Sequence, residues 1–297
     1  MLTPLINNND NVQGLLMITI YGCAAPNPKK ISIFMEEAGL EYEYVSMSVH
    51  ELDQKKPEFL AINPNGRFPA IIDHDAEGGP LTVWESGAIL TYLAEKTGKF
   101  LPKDGHGRYE TLQWVYWQVS HAPYLGNAHY YRLFTPKPRR LEIKRFTNES
   151  ARLYRLMNKH LEERQWFAAG EFTIADISIY TWVQYHEWQG QDLADFPNVE
   201  AWFKRMGERP GVQKGSNVPY PIFEYKPSPN RDTEAVKAAI KYRLSHPSWA
   251  IPADKEDQAI AGTSQKEYEK AKKRLQMLAK MPWLFDVLSM LSPRRKN

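Results

Sequence analysis

Two stretches of the chain decide the fold: Asn63–Ile72, which reads NPNGRFPAII, and Glu85–Leu90, which reads ESGAIL. The first is a turn, then Pro69, then a short apolar strand, and a proline at a strand start donates no ladder hydrogen bond. If the Phe68–Pro69 bond is cis, the backbone N–H and C=O of Phe68 are exposed and can pair with a peptide as an added strand does. The second stretch predicts a helix start at which free N–H groups and the Ser86 hydroxyl bind a carboxylate. Together they predict a site for a small peptide.

The composition is that of a folded protein with almost no cysteine. Of the 297 residues, 42% are hydrophobic and 12% are aromatic, which is enough for one large or two ordinary domains. A single cysteine excludes a disulfide framework and a cysteine-rich metal site. No stretch reaches about 18 uninterrupted apolar residues, and no Lys or Arg precedes Lys29, so neither a membrane span nor a signal peptide is predicted. We therefore expect a cytoplasmic protein.

Hydrophobic periodicity predicts an α/β segment followed by a helical one. In the first, strands are expected at 17–21, 42–49, 68–73 and 81–84, and helices at 29–40 and 86–97, with Gly39 ending the earlier helix. This strand–helix–strand order, followed by a hairpin and a helix, is thioredoxin-like. In the second segment, helices are expected at 109–119, 140–163 and 196–209, the last closed by Pro210-Gly211.

A capping box and a change in composition complete the domain prediction. Thr173 with Asp176 matches a capping box that starts a buried helix, so we interpret both as structural residues. The predicted organisation is a mobile lead-in at 1–16, a thioredoxin-like domain at 17–99, an all-helical domain at 107–222 and a basic helical extension at 223–297.

Six short motifs stand in a characteristic order and spacing: Ala25-Pro26-Asn27, Pro57-Glu58-Phe59-Leu60, Arg67-Phe68-Pro69, Glu85-Ser86-Gly87, Tyr92-Leu93-Ala94-Glu95-Lys96 and Thr173-Ile174-Ala175-Asp176. Together they resemble the glutathione transferases, and most closely the bacterial nu class and the related fungal prion-type nitrogen regulators. The resemblance covers roughly residues 17–222 and implies a homodimer with glutathione as co-substrate and a cis bond before Pro69.

The resemblance assigns glutathione-binding roles to five residues. Gln54 and Arg67 are expected at the glycyl end, with Arg67 replacing the commoner lysine. Phe68 is expected to pair its backbone with the cysteinyl unit. Glu85 is expected to take the γ-glutamyl ammonium group, while Ser86 and the helix N-terminus take the carboxylate.

Asn27 is the favoured residue for activation of the glutathione thiol, because a donor near the sulfur at a helix N-terminus favours the thiolate. The alternative is that Asn27 only caps the helix. Nu-class relatives have a threonine where this chain has Ala25, so one hydroxyl is missing. Two alternatives stay open. Cys23, in the same loop, is a catalytic thiol or a small buried hydrophobe, and Tyr21 is a donor or a core aromatic.

The resemblance also places a second-substrate pocket under residues 120–134, where aromatic rings and a cation suit a flat or anionic partner. Its predicted residues are Tyr124, His129, Tyr131 and Arg132. Nu-class relatives accommodate a second glutathione here, so disulfide chemistry is expected. No metal is predicted, because no partner residues stand at ligand spacing from His129.

Charge is distributed unevenly, although the net charge is only +3. Residues 226–297 contain 15 Lys and Arg against 8 Asp and Glu, whereas the remainder contains 23 against 27. This favours a basic extension that folds back over the acidic body, at the mouth of the site or on the dimer surface. Contact of apolar Met281–Leu291 with a membrane surface is a weaker alternative. Nucleic-acid binding is not predicted, because no recognition motif accompanies the charge.

The favoured function is a transferase of nu type, in which glutathione thiolate reduces a disulfide or peroxide or is conjugated to an electrophile. A catabolic transferase, such as an aryl-ether-cleaving enzyme, is a second possibility. The missing hydroxyl at Ala25 keeps open a non-catalytic glutathione-binding regulatory protein.

Overall fold

The computed structural model describes residues 18–48, 53–134 and 140–219. The predicted lead-in at 1–16 and the predicted basic extension at 223–297 lie outside these residues. Within the described ranges, no helix is both long and apolar enough to cross a membrane.

The N-terminal domain is a four-stranded sheet with helices packed on it. The strands occur in the order β2-β1-β3-β4, with β1 and β2 parallel and the other neighbours antiparallel. This topology confirms the predicted thioredoxin-like fold. Its elements are β1 (Ile18–Gly22), α1 (Pro26–Ala38), β2 (Tyr42–Ser46), α2 (Pro57–Ile62), β3 (Ala70–Asp73), β4 (Leu81–Trp84) and α3 (Ser86–Thr97).

The C-terminal domain is helical, as predicted. Its longest helix continues into a π-helical turn at Tyr130–Phe134, before the gap at 135–139. Its helices are α4 (Gly105–His129), α5 (Arg140–His160), α6 (Ile174–Val183), α7 (Pro197–Gly207) and α8 (Pro210–Ser216).

Proline chemistry explains two of the helix boundaries that differ from the sequence prediction. Helix α1 begins at Pro26 instead of residue 29, and Pro210 begins α8 instead of closing the preceding helix. Proline is favoured in the first turn because that N–H has no helical partner. Helix α2 was not predicted, because its six residues are too few to show a helical period. Helix α4 runs ten residues past the predicted end at 119, since Ala122, Leu125 and Ala128 continue its buried face.

The position of α1 is set by both domains. Helix α8 packs so closely that a Cβ on Gly215 would lie 2.4 Å from the Ile33 Cα atom. Arg209 forms an ion pair with Glu37 of α1, with 2.6 Å between Nη2 and Oε2. One continuous hydrophobic core includes residues of both domains. Groups at the start of α1 are therefore held against groups of the C-terminal domain.

The capping box at the start of α6 is present and fully buried. Thr173 Oγ1 accepts a hydrogen bond from the Ala175 N–H, and Asp176 Oδ2 accepts one from the Thr173 N–H. Asp176 Oδ1 also accepts from the Phe167 N–H and from the Trp202 indole. Burial raises the pKa of Asp176 to about 6, and these donors oppose the shift. The carboxylate thus joins three segments of the helical domain.

Candidate functional site

The strand register brings three separate chain segments to one end of the sheet. Tyr21, near the end of β1, lies opposite Ala70 at the start of β3, and Ala70 lies opposite Trp84 at the end of β4. The loop from β1 into α1, the Phe68–Pro69 bond and the start of α3 therefore meet at this end. These are the segments for which the sequence analysis predicted glutathione contacts.

Asn27 lies in the first turn of α1, and Trp182 of α6 fixes its side-chain orientation. The Trp182 Nε1–H donates to Asn27 Oδ1 at 2.9 Å. Since an indole N–H is only a donor, the atom that faces it must be the amide oxygen, and the Asn27 Nδ2 group points the other way. The arrangement presents an amide donor at a helix N-terminus, which favours an anion such as a thiolate.

The geometry argues against the two rival groups for thiol activation. Cys23 is buried, and burial raises the pKa of its thiol to about 12. Such a thiol is a poor nucleophile near neutral pH. The Tyr21 ring packs against Phe59, with 6.4 Å between centroids, and burial together with Glu43 raises the pKa of its phenol. These observations favour the packing interpretation for both residues.

The buried side chain of Asn63 holds the turn before Pro69. Asn63 Nδ2 donates to the Arg67 carbonyl at 2.7 Å, and Asn63 Oδ1 accepts from the Asn65 N–H at 3.0 Å. The bond between Phe68 and Pro69 is cis. Within the ranges that the structure describes, no hydrogen bond reaches the Phe68 N–H or C=O. Both groups are therefore available to pair with the backbone of a ligand.

Gln54 and Arg67 lie at the same turn. A Cβ on Gly66, whose φ is +60°, would lie 2.8 Å from the Gln54 carbonyl oxygen, so the two backbone segments touch. Gln54 Oε1 is buried and has no hydrogen-bond partner among the described residues, whereas Arg67 is exposed. The Gln54 segment thus lies against the turn that carries Arg67, and the exposed guanidinium of Arg67 suits a carboxylate.

Helix α3 begins with a strained residue followed by a buried serine. Glu85 has φ 73° and ψ 118°, a combination that residues with a side chain rarely adopt. The Glu85 side chain is exposed, whereas Ser86 is only 4% exposed. Because the first N–H groups of a helix have no intrahelical partner, this start offers donors to an anion.

A buried polar cluster, which the sequence analysis missed, lies behind Ser86. Lys30, one turn after Asn27 on α1, is fully buried, and its Nζ donates to Ser86 Oγ at 3.2 Å and to Gln118 Oε1 at 2.5 Å. Ser178 Oγ donates to the same Gln118 oxygen at 2.8 Å. The cluster therefore connects the starts of α1 and α3 through α4 and α6.

The signal for Lys30 is its position in the helix. It stands three and four residues before Ile33 and Phe34 and thus shares their buried face. A lysine on a buried helix face indicates that its ammonium group has a buried polar partner. Trp182 was predicted to lie in a buried helix, but its pairing with Asn27 joins residues 155 apart in the sequence, and no local pattern indicates that contact.

Two of the four predicted pocket residues lie around α5. The Tyr131 ring is stacked on Phe146, with 5.3 Å between centroids and 2° between planes. The Tyr124 ring lies 6.4 Å from the same phenylalanine. Tyr124 and Tyr131 therefore form an aromatic surface with Phe146.

The other two predicted pocket residues face α6 and the segment that follows it. The His129 ring lies 5.9 Å from the Trp182 ring, which bonds Asn27. The Arg132 guanidinium lies beside Gly190, where a Cβ would be 2.5 Å from Nη1. His129 is thus connected to Asn27 through Trp182. The described part of the chain contains no group of three His, Cys, Asp or Glu that could hold a metal ion.

The fold and the site together define a class of protein, in which a thioredoxin-like domain is joined to a helical domain. At one end of the sheet this class has an amide donor at a helix start (Asn27), backbone groups that can pair with a peptide (Phe68) and a second helix start (Ser86). The comparisons agree with this class. Residues 17–95 match "Glutathione S-transferase, N-terminal domain" and residues 121–210 match "Glutathione S-transferase, C-terminal domain". The chain belongs to the glutathione S-transferase family, which confirms the predicted superfamily.

Similar proteins point to glutathione and to disulfides. The disulfide-bond oxidoreductase YfcG of Escherichia coli is 44% identical over 199 residues, which is 66% of this chain and 93% of the relative. A glutathione transferase structure from Pseudomonas putida has a TM-score of 0.66 at 37% identity, covers 70% and 94% of the two chains, and has one glutathione disulfide bound per subunit. One from Burkholderia graminis has a TM-score of 0.64 at 37% identity, covers 68% and 88%, and has two glutathione molecules per subunit.

Proposed function

We propose that the protein is a glutathione-dependent enzyme that reduces small disulfides, with the thiolate of bound glutathione as nucleophile in place of a protein thiol. Asn27 Nδ2 donates a hydrogen bond to the glutathione sulfur. The single observation that carries the proposal is the Trp182–Asn27 hydrogen bond, because it holds the amide oxygen and leaves the Nδ2 donor on the side away from the Trp182 indole. The burial of Cys23 and the raised pKa of its thiol support a mechanism without a protein thiol.

The remaining groups at the sheet end bind the peptide. Glu85 takes the γ-glutamyl ammonium group, and Ser86 with the start of α3 takes the adjacent carboxylate. The Phe68 backbone pairs with the cysteinyl unit as an added strand. Gln54 and Arg67 bind the glycyl end, where the guanidinium neutralises the carboxylate. Dependence on reduced glutathione suits a cytoplasmic location, because that compartment keeps thiols reduced.

The reaction needs two glutathione molecules for each disulfide. The first thiolate attacks one sulfur, the disulfide bond breaks, and a mixed disulfide forms while one thiol leaves after taking up a proton. The second glutathione thiolate attacks the glutathione sulfur of that mixed disulfide. Glutathione disulfide forms and the second thiol leaves, so two glutathione thiols are oxidised as one disulfide is reduced.

Calorimetric titration and turnover test this function. We expect both reduced and oxidised glutathione to bind, with two reduced molecules or one oxidised molecule per subunit. Glutathione-dependent reduction of hydroxyethyl disulfide, followed through NADPH consumption by added glutathione reductase, should accompany binding. If neither form of glutathione binds, the enzymatic proposal is wrong.

Conjugation to a flat electrophile is a second candidate, favoured by the aromatic surface of Tyr124, Tyr131 and Phe146. A ring-shaped electrophile can stack on such a surface. This candidate predicts one reduced glutathione per subunit and no binding of the oxidised form, so the same titration separates the two reactions.

We also propose that the protein is a homodimer. Among the described residues, the exposed large apolar side chains include Leu81 and Trp84 on the edge strand β4, and Tyr109 and Tyr116 on α4, with Tyr109 68% and Tyr116 64% exposed. The two tyrosines are seven residues apart and therefore share one face of the helix. Exposed aromatic groups of this kind are typical of an interface between subunits.

Acidic substitutions on α4 should separate the subunits. We expect the double variant Tyr109→Glu/Tyr116→Glu to elute as a monomer in size-exclusion chromatography with light scattering, because two buried like charges would face their symmetry mates. Leu141→Glu, which places the same charge on an exposed leucine of α5, is the matched control and should remain dimeric. If the double variant remains dimeric, or if Leu141→Glu becomes monomeric, the subunit interface does not lie on this face of α4.

A further inference from the structure

Lys30 is a buried cation with no carboxylate in contact with it, although the charge of Glu85 at the start of α3 favours its protonated form. Its side chain is fully buried, and no Asp or Glu of the described residues lies within ion-pair distance. Its contacts are the neutral Ser86 and Gln118, and Gln118 Nε2 is itself buried with no hydrogen-bond partner in the described ranges. The lysine also lies near the start of α1, where the helix dipole opposes a positive charge. A cation in such a place is unfavourable until an anion approaches it.

The direction of the hydrogen bonds shows where that anion would lie. An ammonium group only donates, so Ser86 Oγ is the acceptor from Lys30, and the Ser86 hydroxyl proton must point elsewhere. Ser86 is the first residue of α3, whose initial N–H groups also lack helical partners. The hydroxyl proton and these N–H groups are thus available to the same ligand atom.

We propose that Lys30 is a positioning residue for the γ-glutamyl carboxylate of glutathione: it orients the Ser86 hydroxyl from behind and supplies a buried positive charge that the bound carboxylate stabilises. This inference rests on the proposed function, because it takes glutathione to be the ligand at Ser86. The inference adds that binding of the γ-glutamyl carboxylate at Ser86 requires a charged Lys30.

The charge on Lys30 makes binding dependent on pH. Burial lowers the pKa of Lys30 to about 7 in the free protein. A bound carboxylate raises that pKa, so binding above pH 7 must take up a proton. The other titratable groups around the cluster are Lys29 and Cys23 on the α1 side and Glu85 at the start of α3, while α4 and α6 contribute the neutral Gln118 and Ser178.

S-methylglutathione is the probe that isolates this effect, because its sulfur cannot ionise and cannot release a proton of its own. We expect its affinity to fall about tenfold from pH 6 to pH 8, as the charged fraction of Lys30 falls to about one tenth. Titration calorimetry at pH 8 in Hepes and in Tris, which differ in ionisation enthalpy, should show net uptake of most of one proton per site. At pH 6 the uptake should be close to zero. Both measurements use the unmodified protein.

Two lysine variants test whether Lys30 is the group that takes up the proton when the probe binds. Lys30→Met keeps the length of the side chain and removes the charge, so its affinity should be nearly independent of pH. Because wild type still takes up a proton to bind at pH 8, the variant should bind at least about 10²-fold more weakly than wild type at pH 6 and about tenfold more weakly at pH 8. Lys29→Met is the matched control: Lys29 is also buried in α1, but its Nζ donates to the Ser216 carbonyl, and this variant should keep the wild-type pH dependence.

The outcomes separate this inference from the proposed function. If S-methylglutathione binds without proton uptake at pH 8, the role of Lys30 is overturned and the glutathione site stands. If uptake persists in Lys30→Met, another group takes the proton and the inference is wrong. If the probe does not bind wild type at any pH, the proposed function itself fails.

Discussion

Replacement of Asn27 by alanine is expected to lower kcat for glutathione-dependent disulfide reduction by about 10²-fold, the usual effect of removing one preorganised donor from a developing anion. Affinity for oxidised glutathione should change little, because its bound sulfur carries no negative charge. The physical reason is the fixed orientation of the amide, whose oxygen is held by the Trp182 indole. Steady-state reduction of hydroxyethyl disulfide, together with calorimetric titration, measures both quantities.

Two further variants make the Asn27 prediction specific. Trp182→Phe keeps an aromatic ring but removes the indole N–H, so the amide is free to rotate, and kcat should fall up to about tenfold. Cys23→Ala should leave turnover unchanged, because the thiol is buried and its pKa is about 12. An active Asn27→Ala variant with an inactive Cys23→Ala variant would refute the mechanism and assign the chemistry to the protein thiol.

Replacement of Asp176 by alanine is expected to lower the free energy of unfolding by about 3–5 kcal/mol, since each buried donor left without an acceptor costs about 1–3 kcal/mol. The carboxylate accepts from the Thr173 N–H and hydroxyl, the Phe167 N–H and the Trp202 indole. Alanine would leave these donors inside the helical domain without a partner. Equilibrium urea denaturation followed by circular dichroism measures the loss.

Asp192 offers a matched control for Asp176. It also caps a helical turn, through one hydrogen bond of 3.0 Å from the Ala194 N–H, but its side chain is exposed. Asp192→Ala should therefore cost only about 1 kcal/mol, the usual effect of losing an exposed cap. Equal losses in the two variants would show that burial of the Asp176 network does not contribute as inferred.

Local sequence patterns were sufficient for elements whose signals lie close together. The helix from Ser86 to Thr97 has the predicted bounds, because the turn before it and the glycine after it are both local signals. The Thr173–Asp176 capping box is likewise a four-residue pattern. Weaker local signals produced the errors: helix α2 is too short to show a period, and Pro210 was interpreted as a stop although it begins α8.

The glutathione contacts were predicted by resemblance, and the structure supplies the geometry around them. The sequence alone did not show that Tyr124 and Tyr131 lie around Phe146 while His129 lies against Trp182. Those partners come from different helices, and their pairing depends on how the helices pack. The assignment of each residue to glutathione stays a prediction that the experiments above test.

The sequence by itself determined the family, the thioredoxin-like order of elements and the turn that precedes Pro69, because these depend on periodicity, turn chemistry and short motifs. The tertiary structure alone decided which way the Asn27 amide points and that Lys30 lies behind Ser86. The physical reason is that a hydrogen bond is directional and short. A partner such as Trp182, 155 residues away, is specified only when helices α1 and α6 pack together in the shared core of the two domains.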